Sequence, residues 1–361
     1  MNEQLERELI KKVKKDPLSL EYFKDQTEAI CIEAVKQDGE ALKYVKNQTN
    51  EICLAAVRQY GHALQYVNDK TEEICLAAVK KHGLALVYVE NQTNEICLEA
   101  VKQHGHALEY VKNQTEEICL AAVKMYALSL EYVKNQTERI CLEAVKENWT
   151  ALKYVKNQTK RICLEAAKRN GSIVKYFNRQ TKELCLEAVK NDGLALRYIK
   201  NQTEEVCLEA VKCYPAALEF VNNQTERICI EAVSREGYAL ALVKNQTETI
   251  CIEAVKQDPS SIKFVKQQTD KICLEALNYS SKIFIFKEIL PLLAIDVKSI
   301  ALIVLNASLE YKSKNKEILT KILNNFNEDK EVVDFYTKHK LWKYVDFDKL
   351  NFELTQYTMT I

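Results

Sequence analysis

The side chains of this chain that are most capable of chemistry are its thirteen cysteines. Twelve of them recur every 22 residues, from Cys31 to Cys273. Thiols form disulfides, bind metals or act as nucleophiles, but a catalytic cysteine stands singly beside an activating base. A disulfide needs Cα atoms within about 7 Å, whereas stacked helices lie roughly 8–10 Å apart. We therefore expect free, buried thiols in a reducing compartment such as the cytoplasm.

A second group of reactive or recognition side chains lies where the 22-residue copies differ, around positions 11, 12 and 14 counted from the threonine that opens each copy. The histidines among them, four of the chain's five, fall in three consecutive copies. Aromatic rings are enriched at binding hot spots, which favours a partner-binding surface; the alternative is that the rings only cover helix ends. The candidate residues are Tyr60, His62, His82, His104, His106, Tyr126, Trp149, Tyr214 and Tyr238.

Neither group predicts a metal site or an active site. His82 and His104 occupy the same position in neighbouring copies, so they lie about one layer apart, and zinc needs three or four ligands. The chain has no His-Glu-x-x-His motif, glycine-rich phosphate loop or nucleophile elbow. Cys213, the one cysteine outside the series, is open to two interpretations, an exposed reactive thiol or an incidental substitution. We expect no enzyme, no metal or other cofactor and no small-molecule substrate.

Charge argues against nucleic acid and membrane partners. Lysine plus arginine equals aspartate plus glutamate, so the formal net charge is zero. A basic stripe at position 10, from Lys36 to Lys212, could follow a phosphate backbone, but glutamates three residues earlier in many copies cancel its field. The most apolar run, Ile283 to Leu305, is interrupted by four charged residues, so no membrane-spanning helix is predicted.

The elements that position these residues are set by the copies, which open at Thr27 and then every 22 residues up to Thr269. Threonine is a favoured helix N-cap, and apolar residues at positions 4, 5, 8 and 9 form one face of a helix. Ala, Leu, Tyr and Val at positions 15, 16, 18 and 19 form a shorter stripe. Position 13 is glycine in seven of twelve copies, which indicates that the helix ends there on a residue in the left-handed backbone conformation. Each copy is therefore predicted to be an αα-hairpin of roughly eleven plus eight residues.

A lone hairpin of this size buries too little apolar surface to fold, so the copies must stack. The predicted fold class is all-α: an α-solenoid of about twelve 22-residue αα-hairpin repeats with a divergent C-terminal helical cap. We assign residues 1–278 to the solenoid, with 1–26 as an N-terminal capping repeat. Residues 279–361 lose the repeat pattern and are predicted to be a C-terminal helical cap or a recruiting segment.

The copies also resemble a known class of repeats. The unit Asn-Gln-Thr-Glu-Glu-Ile-Cys-Leu-Ala-Ala-Val-Lys, followed by Gly-x-Ala-Leu-x-Tyr-Val, resembles short helical repeats of unknown function that are abundant in amoeba-infecting giant viruses and related to repeats of amoeba-associated bacteria. The resemblance covers residues 5–278. It implies an intracellular viral or effector protein, in the host cytoplasm, and carries over no residue role.

Three functions remain open from the sequence. The favoured one is a non-enzymatic protein-interaction scaffold or adaptor, with a protein partner of unknown identity. The alternatives are a helical-repeat protein that binds nucleic acid and a structural protein that self-associates end to end.

Overall fold

The computed structural model describes residues 3–279 and six isolated positions, 320, 323, 324, 334, 337 and 345. The chain packs as two compact units, Met1–Arg179 and Gln180–Ile361. Every regular element in residues 3–279 is a helix. The predicted cap or recruiting segment, residues 279–361, lies outside the described residues apart from Tyr279 and the isolated positions.

In the first unit, long α-helices alternate with six-residue 3-10 helices, labelled η. The long helices are α1 (Glu3–Lys15), α2 (Glu28–Gln37), α3 (Asn50–Gln59), α4 (Glu72–Lys81), α5 (Asn94–Gln103), α6 (Glu116–Met125), α7 (Glu138–Glu147) and α8 (Lys160–Arg169). The short helices are η1 (Pro17–Tyr22), η2 (Gly39–Tyr44), η3 (Gly61–Tyr66), η4 (Gly83–Tyr88), η5 (Gly105–Tyr110), η6 (Ala127–Tyr132), η7 (Trp149–Tyr154) and η8 (Gly171–Tyr176).

The second unit repeats the same alternation. Its long helices are α9 (Lys182–Asn191), α10 (Glu204–Cys213), α11 (Glu226–Arg235), α12 (Glu248–Gln257) and α13 (Asp270–Tyr279). Its short helices are η9 (Gly193–Tyr198), η10 (Pro215–Phe220), η11 (Gly237–Leu242) and η12 (Pro259–Phe264). In each unit every long helix packs against the next, which confirms the predicted all-α solenoid of 22-residue repeats.

The long helices form as the sequence predicts. In α2 the hydroxyl of Thr27 accepts a hydrogen bond from the backbone N–H of Ile30 at 3.4 Å, so the threonine is the N-cap. The buried face consists of Ile30, Cys31, Ala34 and Val35. All thirteen cysteines are free, and the twelve in the series are buried. The prediction that these thiols belong to the core is confirmed.

The second helix of each repeat differs from the prediction, because it is a 3-10 helix and not an α-helix. In η2 the N–H of Ala41 donates to the carbonyl of Asp38 at 3.0 Å, and the N–H of Val45 donates to Leu42 at 3.1 Å. A 3-10 helix rises about 2.0 Å per residue, against 1.5 Å in an α-helix. Six residues therefore span most of the length of a ten-residue α-helix, and five remain between Tyr44 and Asn50 for the return loop.

The predicted role of the position-13 glycines is wrong. None of the glycines whose surroundings are described has a φ in the left-handed region, and Asp38, which ends α2, is extended. A Cβ built on Gly39 would lie 2.8 Å from the carbonyl oxygen of Ala56 and 2.7 Å from the Cβ of Tyr60. In these copies glycine therefore avoids a clash with the next repeat, which approaches closely. The same close approach occurs at Gly61, Gly83, Gly105, Gly193 and Gly237.

Glutamine side chains at position 22 join consecutive repeats. The amide nitrogen of Gln26 donates to the carbonyl of Tyr44 at 2.9 Å, and its oxygen accepts from the N–H of Lys46 at 2.9 Å. This glutamine bridge satisfies backbone groups that a turn leaves unpaired. It recurs at Gln48, Gln92, Gln114, Gln136, Gln158, Gln180, Gln202, Gln224 and Gln246. Within residues 3–279, no helix has the length and apolar character that a membrane span requires.

Candidate functional site

The candidate ring residues lie where each long helix passes into its short helix. At position 12 one residue is both the last cap of the long helix and the first cap of the short one. Its backbone is extended, as at Tyr60 with φ −137° and His104 with φ −149°. Both sides of the cap are hydrogen-bonded: the N–H of Tyr60 donates to Ala56 at 2.8 Å, and its carbonyl accepts from Ala63 at 2.9 Å. The position-12 side chain therefore projects from a backbone that is held in place by hydrogen bonds.

Six of the nine candidate residues form one unbroken series of ring contacts in the first unit, which we call the ring row. Its members are Tyr60, His62, His82, His104, His106 and Tyr126. The successive centroid distances along the row are 5.5, 4.3, 6.4, 5.5 and 4.5 Å. Aromatic pairs interact favourably at 4.5–7 Å between centroids; four of the five distances lie in this range and the fifth, between His62 and His82, is slightly shorter. The rings are therefore in contact across four repeats.

Two further rings contact this row and were not among the candidates. Tyr88 lies 5.9 Å from His62, and Tyr132 lies 5.8 Å from His106. These position-18 tyrosines belong to the predicted apolar stripe of the second helix, but both are only half-buried. The missed signal is their regular recurrence one repeat after a position-14 histidine.

The other three candidates lie apart from the row. Trp149 begins η7 and is half-buried, and among residues 3–279 it makes none of these ring contacts. Tyr214 and Tyr238 belong to the second unit, where both are exposed. Tyr238 lies 5.7 Å from Phe264 and 4.7 Å from the ammonium of Lys263.

Cations stacked on rings form a second feature of the short helices that sequence analysis missed. The Lys153 ammonium lies 4.6 Å from the centroid of Tyr154. In the second unit the Arg197 guanidinium lies 5.7 Å from Tyr198 and 4.8 Å from Phe220, the aromatic residue of the following repeat. Position 17 supplies the cation and position 18 the ring. Such pairs fix long side chains that would otherwise be free to move.

Two histidines of the ring row are shifted toward their neutral form. Burial lowers the pKa of His82, and the neighbouring His62 adds to the effect. Burial also lowers the pKa of His104, with contributions from His106 and His82. The Nδ1 atom of His62 is buried and has no hydrogen-bond partner. His82 and His104 are therefore mostly neutral at physiological pH.

Other chemistry is weakly represented in the part of the chain that is described. No group of three or more His, Cys, Asp or Glu residues comes together to hold a metal there. The basic stripe is partly neutralised: Lys102 pairs with Glu99 at 3.0 Å in its own helix, and Lys124 pairs with Glu143 of the next repeat at 3.6 Å. Cys213 is exposed, with its Sγ atom 3.6 Å from the carbonyl oxygen of Lys190.

Five segments of the chain match the model of a protein family described as a domain of unknown function, DUF4116. They are residues 28–71, 49–94, 71–115, 94–137 and 159–202. Successive matches along 28–137 begin about one repeat apart, so the similarity indicates a repeat protein of unknown function. No curated protein matches the chain.

Proposed function

We propose that this chain is a non-enzymatic protein-interaction scaffold and that the ring row is its contact surface. The observation that carries the proposal is the unbroken contact of six rings across consecutive repeats. Tyrosine is prominent among binding hot-spot residues, and 38% of Tyr60 and 41% of Tyr126 is exposed to solvent. A partner could therefore bury a large aromatic area.

The rigidity of the row supports the same proposal. Binding loses affinity when long side chains or loops must be ordered. Each position-12 ring starts from a backbone fixed by hydrogen bonds, and each ring is in contact with its neighbours, so little ordering is left for the binding step. The row contains no lysine or arginine, which favours a protein surface over a phosphate backbone, whose binding depends on many cationic contacts.

The proposal includes a reducing compartment such as the cytoplasm, because thirteen free cysteines persist only where thiols stay reduced. It also includes kinship with the giant-virus repeats that the sequence resembles. Both points rest on the thiols and the repeat pattern.

A capture experiment with paired variants tests the proposal. The first variant replaces three rings, His82→Ala, His104→Ala and Tyr126→Ala. The matched control replaces the exposed residue just before each ring, Lys81→Ala, Gln103→Ala and Met125→Ala. We expect the ring variant to lose about tenfold in partner binding from cell extract, since hot-spot truncations cost at least this much. The control should bind as the unmodified chain does.

Circular dichroism and thermal unfolding must show that both variants fold. Equal binding by the ring variant and the unmodified chain would mean that the rings only cover helix ends, and the proposed surface would be abandoned.

A further inference from the structure

The four imidazoles of the ring row, which we call the histidine row, are consecutive members of it. His62, His82, His104 and His106 each touch another imidazole, at centroid distances of 4.3, 6.4 and 5.5 Å in chain order. Histidine is the side chain whose ordinary pKa lies nearest to physiological pH. A row of them in contact must respond to pH as a group, because a proton on one ring opposes a proton on the next.

No carboxylate pairs with these imidazoles in residues 3–279, so a proton on the row gains no ion pair. The titratable tyrosines in contact with the histidine row are Tyr60, Tyr88, Tyr126 and Tyr132. The charged residues on the elements packed around it are Glu40 and Lys43 of η2, Glu51 and Arg58 of α3, Glu72, Glu73, Lys80 and Lys81 of α4, Glu95, Glu99 and Lys102 of α5, Glu109 of η5, Glu116, Glu117 and Lys124 of α6 and Glu131 of η6. Carboxylates are the more numerous in this set, but in α3 to α6 the cations lie in the last turn, which leads into the row, and most of the carboxylates lie in the first turn at the other end. The cations at the near end oppose protonation of the row.

The burial of His62 adds a second cost to protonation. A neutral imidazole has one N–H group, whereas the cation has two and needs an acceptor for each. The Nδ1 atom of His62 is buried and without a partner. A proton on that atom would have no acceptor unless the ring turned, and turning would break its contacts with His82 and Tyr88. Protonation therefore disturbs the row as well as charging it.

We infer that the histidine row is a pH-dependent switch of the contact surface: the surface is uncharged and ordered at neutral pH, and becomes cationic and rearranged in mild acid. A partner that binds the neutral rings is then released, because keeping it bound would hold positively charged rings close together and away from water, which costs free energy. This inference rests on the proposed function for its consequence, but the coupled titration itself does not.

The titration is tested by NMR of the imidazole signals in the full chain between about pH 8 and about pH 5. His82→Phe keeps a ring in the row and removes its titrating group. We expect the pKa of His104 to rise in this variant, because a neighbouring positive charge is gone. Met125→Leu changes an exposed neighbour without a titrating group and should leave every imidazole pKa unchanged. Independent titration of the imidazoles, identical with and without His82, would overturn the inference.

The release is tested by the ratio of partner capture at about pH 5.5 to that at about pH 7.5. For the unmodified chain we expect this ratio to fall about tenfold below one. In a variant with His82→Phe, His104→Phe and His106→Phe the ratio should stay near one, whatever its absolute capture. The same acid release from the phenylalanine variant would overturn the switch. Loss of the proposed function shows differently, as equal neutral-pH capture by the alanine ring variant.

Discussion

At the scale of single residues, the buried thiol is the side chain most changed by the fold. Burial, with a contribution from Glu138, raises the pKa of Cys141 to about 11. Its Sγ atom lies 3.7 Å from the amide oxygen of Gln136, within reach of a weak S–H hydrogen bond. Since the thiolate is the reactive species, the cysteines of the series are inert while the protein is folded.

This contrast predicts the outcome of thiol labelling. With a disulfide reagent at about pH 8, where an ordinary thiol is partly ionised, we expect one of the thirteen thiols to react in the folded chain, namely Cys213, the exposed one. All thirteen should react in denaturant. A Cys213→Ser variant should lose the fast reaction altogether. Rapid labelling of several thiols in the folded chain would mean that the repeats open readily.

At this scale the helix caps and the buried core residues could be predicted from the sequence, whereas the contacts between the rings could not. The threonine caps and buried cysteines follow from local rules that hold in every copy. The contact between His62 and Tyr88 does not, because it depends on how one repeat is offset from the next. The half-exposed state of the position-18 tyrosines depends on the same offset, which no local pattern encodes.

At the scale of the element, the glutamine bridge supplies hydrogen-bond partners to backbone groups that the turns leave unpaired. One interface in the first unit lacks it, because position 22 is Lys70 in that copy. Lysine has no acceptor, so it cannot accept from the N–H of Glu90 as Gln48 accepts from Asn68. The thiol of Cys75 turns instead to the backbone carbonyl of Lys70 at 3.8 Å.

Restoring the bridge should therefore stabilise the chain. In Lys70→Gln the new amide can donate to the carbonyl of Tyr88 and accept from the N–H of Glu90, as the other bridges do. We expect a gain of about 1 kcal/mol in the free energy of unfolding, the usual net value of such hydrogen bonds. Denaturant titration measures it, and Gln48→Lys, the reverse change one repeat earlier, should lose a similar amount. Unchanged stability in both variants would show that the bridges are not stabilising.

The sequence of the short helices does not determine which type of helix they form. Ala, Leu, Tyr and Val at positions 15, 16, 18 and 19 fit an α-helix and a 3-10 helix equally well over so few residues. The choice depends on how far the chain must travel back along the long helix. The glycine at position 13 was misinterpreted for a related reason, since its neighbour, the carbonyl of Ala56 in the case of Gly39, belongs to the following repeat.

At the scale of the whole molecule, the repeated contacts make each copy interchangeable with its neighbours. In the second unit, deletion of residues 204–225 joins Thr203 to Glu226, so the threonine cap and the acidic first turn are kept. We expect the shortened chain to fold with the same helix content per residue and a modestly lower melting temperature, as repeat stabilities add between neighbours. Circular dichroism and calorimetry measure both.

The matched control deletes only residues 204–214, which removes α10 and leaves η10 without its long helix. This deletion should cause a large loss of stability and of cooperativity. Similar behaviour of the two deletions would contradict the view that the 22-residue copy is the unit of folding.

The all-α solenoid was predictable as a whole because its evidence is spread over twelve copies, so that a single substitution such as Lys70 does not hide the period. The ring row was predictable only as a list of residues. Its order and contacts needed the structure, because they join residues from consecutive repeats, as His82 and His104 do at 6.4 Å.

The glutamine at position 22 faces the following copy in the same way at almost every described interface, and so does the glycine at position 13 in the copies that have it. A gene encoding such a chain tolerates unequal crossover between any two copies, since the recombinant product inherits matching surfaces on both sides of the new joint. Paralogues that differ in the number of layers can therefore arise in one genetic event. Diversification by point mutation is then concentrated at positions where the copies already differ, such as those of His82 and Tyr126.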